Sequence, residues 1–300
     1  MIVVGIRNAM AAQPAATPSG AELRARRSAP PRSSDSLQPT PPVHQIYITP
    51  LTKVAISTAA SAQGSVSWAK RIGSVNYDRA HALAVDRSGD VVMSGEFSTA
   101  TDLGGGLISG GGMFVAKYSG ADGSYRWAKV GPGIGWGVAT DPNSGNVVLT
   151  GQLYGTSDFG GGPIGPGGLF LAAYGPSGNY LWAKCFNYGG YSSQDIGYGV
   201  SIDSSGNVAF TGQANSTISF DGNVVAGGSS VFVASFTSSG GYRWAKRPSG
   251  LGQGCGRAIT CDGFGHTIIT GPFSGTLSFD GISVTAPSLS TAALIGQYSQ

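Results

Sequence analysis

Glutamate is almost missing from this chain: only Glu22 and Glu96 occur in 300 residues, and histidine and cysteine appear three times each. General acid/base chemistry needs several such groups converging at one point, so few catalytic constellations are open to it. Cys185, Cys255 and Cys261 cannot make a disulfide framework. Cys255 and Cys261 read as the two ends of one strand, and six residues of strand span roughly 20 Å, well beyond disulfide reach. Their spacing is not that of a zinc site. No apolar run approaches the ~18 residues of a membrane helix. Ile2-Val-Val4 is too short for a signal-peptide core, so no leader is expected. Also missing are a capped helical period, a Gly-x-Ser-x-Gly elbow, a His-Glu-x-x-His motif and a Gly-Lys-Ser/Thr phosphate loop. Gly160 to Gly165 matches the spacing of a dinucleotide fingerprint, but Pro163 and Pro166 forbid the helix that would follow.

Charge is scarce and uneven. Charged residues are 11% of the chain. Residues 1–60 hold six basic and two acidic residues, a net +4, whereas the rest holds twelve basic and thirteen acidic, a net −1. The cluster Arg24, Arg26, Arg27 reads as part of a solvated Ala/Pro/Ser-rich arm over residues 1–60. Within it only His44–Pro50 alternates like a strand. The near-neutral remainder argues against the clustered basic face of a nucleic-acid binder.

What the chain has in excess is glycine, 50 residues, together with five Trp, twelve Tyr and twelve Phe. Tight turns between aromatic-rich strands predict an all-β protein. Trp-Ala-Lys occurs four times, with Trp68, Trp127, Trp182 and Trp244 at intervals of 59, 55 and 62 residues. After each comes a strand ending in Asp (Asp86, Asp141, Asp203, Asp262), then a turn carrying Gly89, Gly145, Gly206 or Gly265. These Asp residues suit turn formation. A second strand runs to Ser94-Gly95, Thr150-Gly151, Thr211-Gly212 and Thr270-Gly271. After a variable insert comes a third, such as Phe114–Tyr118, and the Trp strand is the fourth.

Four short antiparallel strands per unit, recurring, are the sequence form of a β-propeller blade. The chain opens its repeats with a lone Trp strand, Val66–Lys70, and closes with a third strand, Ala293–Tyr298, that has no fourth. Joining the two predicts a ring of four blades closed by one composite blade, which removes exposed edges. On each fourth strand Trp is expected between neighbouring blades, with Lys70, Lys129, Lys184 and Lys246 guarding an outer edge. Cys261 shares a column with Val85, Thr140 and Ile202 and reads as a small buried hydrophobe.

The series "WAK", "GYGVSIDSSGNVAFTGQ", "SDFGGG" and "FVAKYSGADGSYRWAK" resembles the bacterial β-propeller repeat family called SBBP and, more distantly, NHL-type propellers. The resemblance spans residues 64–300, with a degenerate last copy in which Asp262-Gly-Phe-Gly-His266 replaces the usual turn and Pro272 follows Gly271. It implies a secreted or cell-surface interaction protein and carries no catalytic residues.

Each Asp turn offers one or two carboxylates against the 6 to 8 oxygens that calcium takes, so neither a metal nor any other cofactor is expected. The candidate site comes from the place where repeats differ. Five residues before each turn Asp stand His81, Trp136, Tyr198 and Arg257, all large, all different and flanked by Gly or Ala. In a propeller these ring one mouth of the channel and suit a carbohydrate or protein ligand. The alternative is blade-to-blade packing beside Leu83, Val138, Val200 and Ile259. Glu96, Gln152 and Gln213, aligned with Pro272, form a secondary polar column. The expected function is a non-enzymatic binding or structural module without nucleic-acid or membrane-spanning partners. The rival is a carbohydrate-active hydrolase or lyase using Glu96 and His81.

Overall fold

A computed structural model describes residues 2–6 (backbone only), 65–186, 195–215, 217–228 and 230–299. The arm expected over residues 1–60, including His44–Pro50, otherwise lies outside the described residues. All described regular structure is β. Strand β1 (Ile2–Ile6) pairs with β2 (Val66–Arg71), the first Trp strand.

Three four-stranded antiparallel sheets follow. Sheet 1 takes β3 (Asp78–Val85), β4 (Val91–Phe97), β7 (Gly112–Tyr118) and β8 (Tyr125–Gly131), with a hairpin of β5 (Thr101–Asp102) and β6 (Leu107–Ile108) between β4 and β7. Sheet 2 repeats this with β9 (Gly133–Thr140), β10 (Val147–Leu153), β13 (Gly168–Tyr174) and β14 (Tyr180–Phe186), plus the hairpin β11 (Ser157–Asp158) and β12 (Pro163–Ile164). Sheet 3 has β15 (Ile196–Ile202), β16 (Val208–Ala214), β19 (Ser230–Phe236) and β20 (Tyr242–Lys246), with β17 (Ile218–Phe220) and β18 (Asn223–Val225) as its hairpin. In sheet 4 the innermost position is split into β21 (Gln253–Gly254) and β22 (Ala258–Cys261). Both pair with β23 (Thr267–Ser274), which pairs in turn with β26 (Ala292–Tyr298); β24 (Thr276–Phe279) and β25 (Ile282–Thr285) form the hairpin.

The Asp turns are built as their residues predict. Asp86 Oδ1 accepts from the backbone N–H of Ser88 at 2.8 Å and Asp90 at 3.0 Å, and Asp262 does the same for Phe264 and His266. Gly89, with φ of 78°, supplies the left-handed residue that this reversal needs. A buried cation reinforces the first turn: Lys117 Nζ lies 2.6 Å from Asp86 Oδ2. Burial alone would raise the Asp86 pKa, but the Lys117 bond and the Asp90 and Ser88 N–H groups outweigh it and hold it below the ordinary carboxylate value.

The core lies between successive sheets. Val92, Met113, Val115 and Trp127 of sheet 1 pack on Val138, Leu149, Phe170 and Tyr174 of sheet 2. Leu169 and Leu171 of sheet 2 meet Val200, Phe210 and Phe232 of sheet 3, whose Val231 and Val233 meet Ile269 and Leu294 of sheet 4. Burying each such side chain contributes about 1.5–3 kcal/mol. The Trp strands tie the sheets together as expected. Trp127 Nε1 donates to Pro176 O at 2.9 Å and Trp182 Nε1 to Ser238 O at 2.9 Å, each reaching a turn of the next sheet. Their lysines also reach across to the next unit: Lys184 pairs with Asp221 at 2.7 Å and Lys246 with Asp280 at 3.0 Å.

Two expectations are corrected. The second strand of each unit does not stop at Gly95, Gly151, Gly212 or Gly271 but runs on to Phe97, Leu153, Ala214 and Ser274. The composite blade is not seen among the described residues, where β26 pairs only with β23, and β2 pairs with β1. The innermost strands follow one another as β3, β9, β15 and β22, with no comparable contact between β22 and β3. Among the described residues the result is a propeller-like succession of four sheets in which no closure between the last and the first is seen.

Candidate functional site

The innermost strand of every unit breaks its ladder at the same point. In sheet 1 Ala80 pairs with Gly95 and Ala82 with Ser94, so His81 has no partner of its own. In sheet 2 Gly135 pairs with Gly151 and Gly137 with Thr150, which leaves Trp136 over. Tyr198 is left over in sheet 3 between Gly197 and Gly199. In sheet 4 Arg257 N–H donates to Thr270 O and Cys255 N–H to Pro272 O around the break between β21 and β22. These are β-bulges, which re-aim a side chain out of the regular alternation of a strand.

Glycine makes the bulges possible. A Cβ on Gly95 would overlap Arg79 O, and one on Gly151, Gly212 or Gly271 would overlap Ile134 O, Ile196 O or Cys255 O. The four Gly that sequence reading placed at strand ends therefore accept the bulged backbone of the strand beside them. Next to them, Gly197 and Gly256 lie against Thr150 and Thr211 of the preceding sheet, where no Cβ fits. Gly256 N–H also donates to Gly212 O at 2.9 Å, so the innermost position of sheet 4 comes within backbone hydrogen-bonding distance of the second strand of sheet 3.

The four candidate residues fall in one line. The His81 and Trp136 rings are 4.1 Å apart, Trp136 and Tyr198 stand edge-on at 5.4 Å, and the Arg257 guanidinium lies 4.0 Å over the Tyr198 ring. None of the four belongs to the apolar cores between sheets, which at this level are filled by Val138, Val200 and Ile259. Trp136 carries an unmet need: its indole N–H is buried without an acceptor. Burial raises the Tyr198 pKa, with Arg257 opposing. Burial likewise lowers the His81 pKa, against the Glu96 contact that raises it, so the imidazole is neutral at pH 7.

The polar column does not act as one group. Glu96 Oε1 reaches His81 Nε2 at 3.4 Å and so joins the row at its first member. Gln152 is buried within sheet 2. Gln213 Nε2 donates to Asn215 Oδ1 at 3.3 Å and, with Gln253, Cys255 and Thr291, lines a shallow cavity of about 180 Å³. Among the described residues no three or more His, Cys, Asp or Glu side chains gather as a metal site would require. No described helix is long and apolar enough to cross a membrane. The cysteines are free, and burial pushes the Cys185 thiol up to about 11. Sequence reading placed the four residues in one column of the repeats but did not foresee the bulges at which they stand. The available signal was Gly or Ala on both sides of a large residue, opposite a Ser/Thr-Gly pair.

No family model and no curated protein matches the chain, so the likeness to SBBP and NHL-type repeats stays a resemblance. Among solved structures, a protein of unknown function from Bacteroides caccae is similar at 11% identity and a TM-score of 0.39, over 76% of this chain and 64% of that one. This chain thus spans just under two thirds of that protein's length. BamB from Moraxella catarrhalis is similar at 12% identity and a TM-score of 0.21, over 76% of this chain and 77% of that one. Likenesses this low fix neither the fold nor the function.

Proposed function

We propose that the repeat body from residue 61 onward is a non-enzymatic binding module of the β-propeller kind, with residues 1–60 as a separate arm. Its ligand surface is the row His81, Trp136, Tyr198 and Arg257. One observation carries this reading: four repeats spend a backbone irregularity at the same point, and each directs a different large side chain into one line. Packing alone would be served by one residue type repeated. An aromatic pair bounded by a neutral imidazole and an exposed guanidinium suits a carbohydrate ring or a peptide, through stacking and a few hydrogen bonds. The resemblance of the repeats supports a setting at a bacterial cell surface or outside the cell.

Immobilised full-length protein titrated with a glycan panel and a peptide panel tests this. Tyr198→Ala and Arg257→Ala should each weaken binding by about tenfold, the cost of truncating one anchor residue. A ligand whose affinity neither substitution changes would remove the row from the account. The hydrolase or lyase reading keeps one observation, the His81–Glu96 contact. Glycoside hydrolysis calls for a pair of carboxylates, and Glu96 is the only glutamate after residue 22. Any turnover abolished by Glu96→Gln would favour that reading instead.

A further inference from the structure

The two ends of the row of sheets are unlike anything inside it, and each shows what would cover the other. In the innermost strands, Leu83, Val138 and Val200 hold equivalent positions. Val138 is 7% and Val200 8% exposed, because the preceding sheet lies over them, whereas Leu83 in sheet 1 is 64% exposed. The third strands show the mirror image. Val115, Leu171 and Val233 are fully buried under the following sheet, whereas the equivalent Ile295 of sheet 4 is 77% exposed. Among the described residues sheet 1 thus has no predecessor and sheet 4 no successor, and the contact each is without is the one that sheets 1, 2 and 3 make with sheets 2, 3 and 4.

Strand β2 carries the same message. Trp68 Nε1 donates to Gly120 O at 3.0 Å, just as Trp127 donates to Pro176 O of sheet 2 and Trp182 to Ser238 O of sheet 3. So β2 sits against sheet 1 as the outermost strand of a preceding sheet. Among the described residues its one partner is β1, and sheet 4 has three strand positions with no outermost strand paired to β26. Among the described residues β22 and β3 make no contact comparable to those between the other successive innermost strands.

We propose that a second copy of this chain covers both ends, head to tail. Sheet 4 of one copy packs on sheet 1 of the other, and β2 of the second copy completes sheet 4 of the first. The interior registers fix the pairing. Lys117 faces Trp127 and Ser235 faces Trp244, so Gln297 should face Trp68 and Gly296 should face Ala69. Two such joints give a ring of eight sheets, within the usual range of about 4–8 blades. A head-to-tail contact of this kind closes a ring when its rotation permits. Arg257 of one copy then lies next to His81 of the other, and the row of side chains continues around the ring. The proposal does not depend on what that row binds.

The test uses the full chain. Wild type should sediment as a dimer at micromolar concentration. Leu83→Asp and Ile295→Asp should each be monomeric with an unchanged strand signal in circular dichroism, because both positions are exposed within one copy. An equimolar mixture of the two should associate again, since one of the two joints is then wild type on both sides. Ala69→Cys mixed with Gly296→Cys should give a disulfide-linked pair that neither gives alone. A monomeric wild type, an open-ended ladder of oligomers, or a dimer that both Asp substitutions leave intact would overturn the proposal.

Discussion

His81 is where residue chemistry reports most directly on the site. Burial holds its pKa below 6.5, so the folded protein binds a proton less readily there than the unfolded chain does. The stability from keeping it neutral is complete above pH 6.5 and drains away as pH falls below that value. The melting temperature of wild type should therefore fall between pH 7 and pH 5 by more than that of His81→Gln, and equal slopes would place His81 in solvent. Gly151 is a second probe. Gly151→Ala sets a methyl group against Ile134 O, and loss on the order of 3 kcal/mol is expected in urea unfolding, as for other strained backbone sites. Comparing columns of the repeats singled out His81, Trp136, Tyr198 and Arg257, which the fold brings next to one another. The bulges were not legible, because an alternating pattern reads the same with or without one extra residue until the register of the neighbouring strand is known.

At the scale of the element, the turn after β3 and the Trp strands decide how sheets are held. Lys117 is buried on β7 against Asp86, and it also donates to Pro176 O of sheet 2 at 3.1 Å. Lys117→Met strands the Asp86 carboxylate and should cost about 3–5 kcal/mol. Asp86→Asn with Lys117→Met should recover much of that loss, and a double variant no better than the single one would mean the pair is not the cause. The strands, their order and the Asp turns were legible because glycine, Asp and aromatic residues recur in phase. Where the second strands end was not, since Gly95 and its counterparts look like terminators and serve as the seats of bulges.

For the molecule as a whole, sequence reading predicted four repeats of four strands and a joint within the chain that is not seen among the described residues. A first strand without a third and a last unit without a fourth fit closure within one chain and closure between chains equally well, and only the exposure of Leu83 and Ile295 separates the two. Either way the row at the bulges is the surface that differs from repeat to repeat, and binding there is the central claim. The measurement that tests it most directly is a thermal-shift screen of the full chain against glycans and peptides, with Trp136→Ala run in parallel. The account predicts at least one ligand that raises the wild-type melting temperature and leaves the variant, itself folded, unmoved. A ligand that stabilises both equally, or a variant that loses its fold and so marks Trp136 as packing, would contradict it.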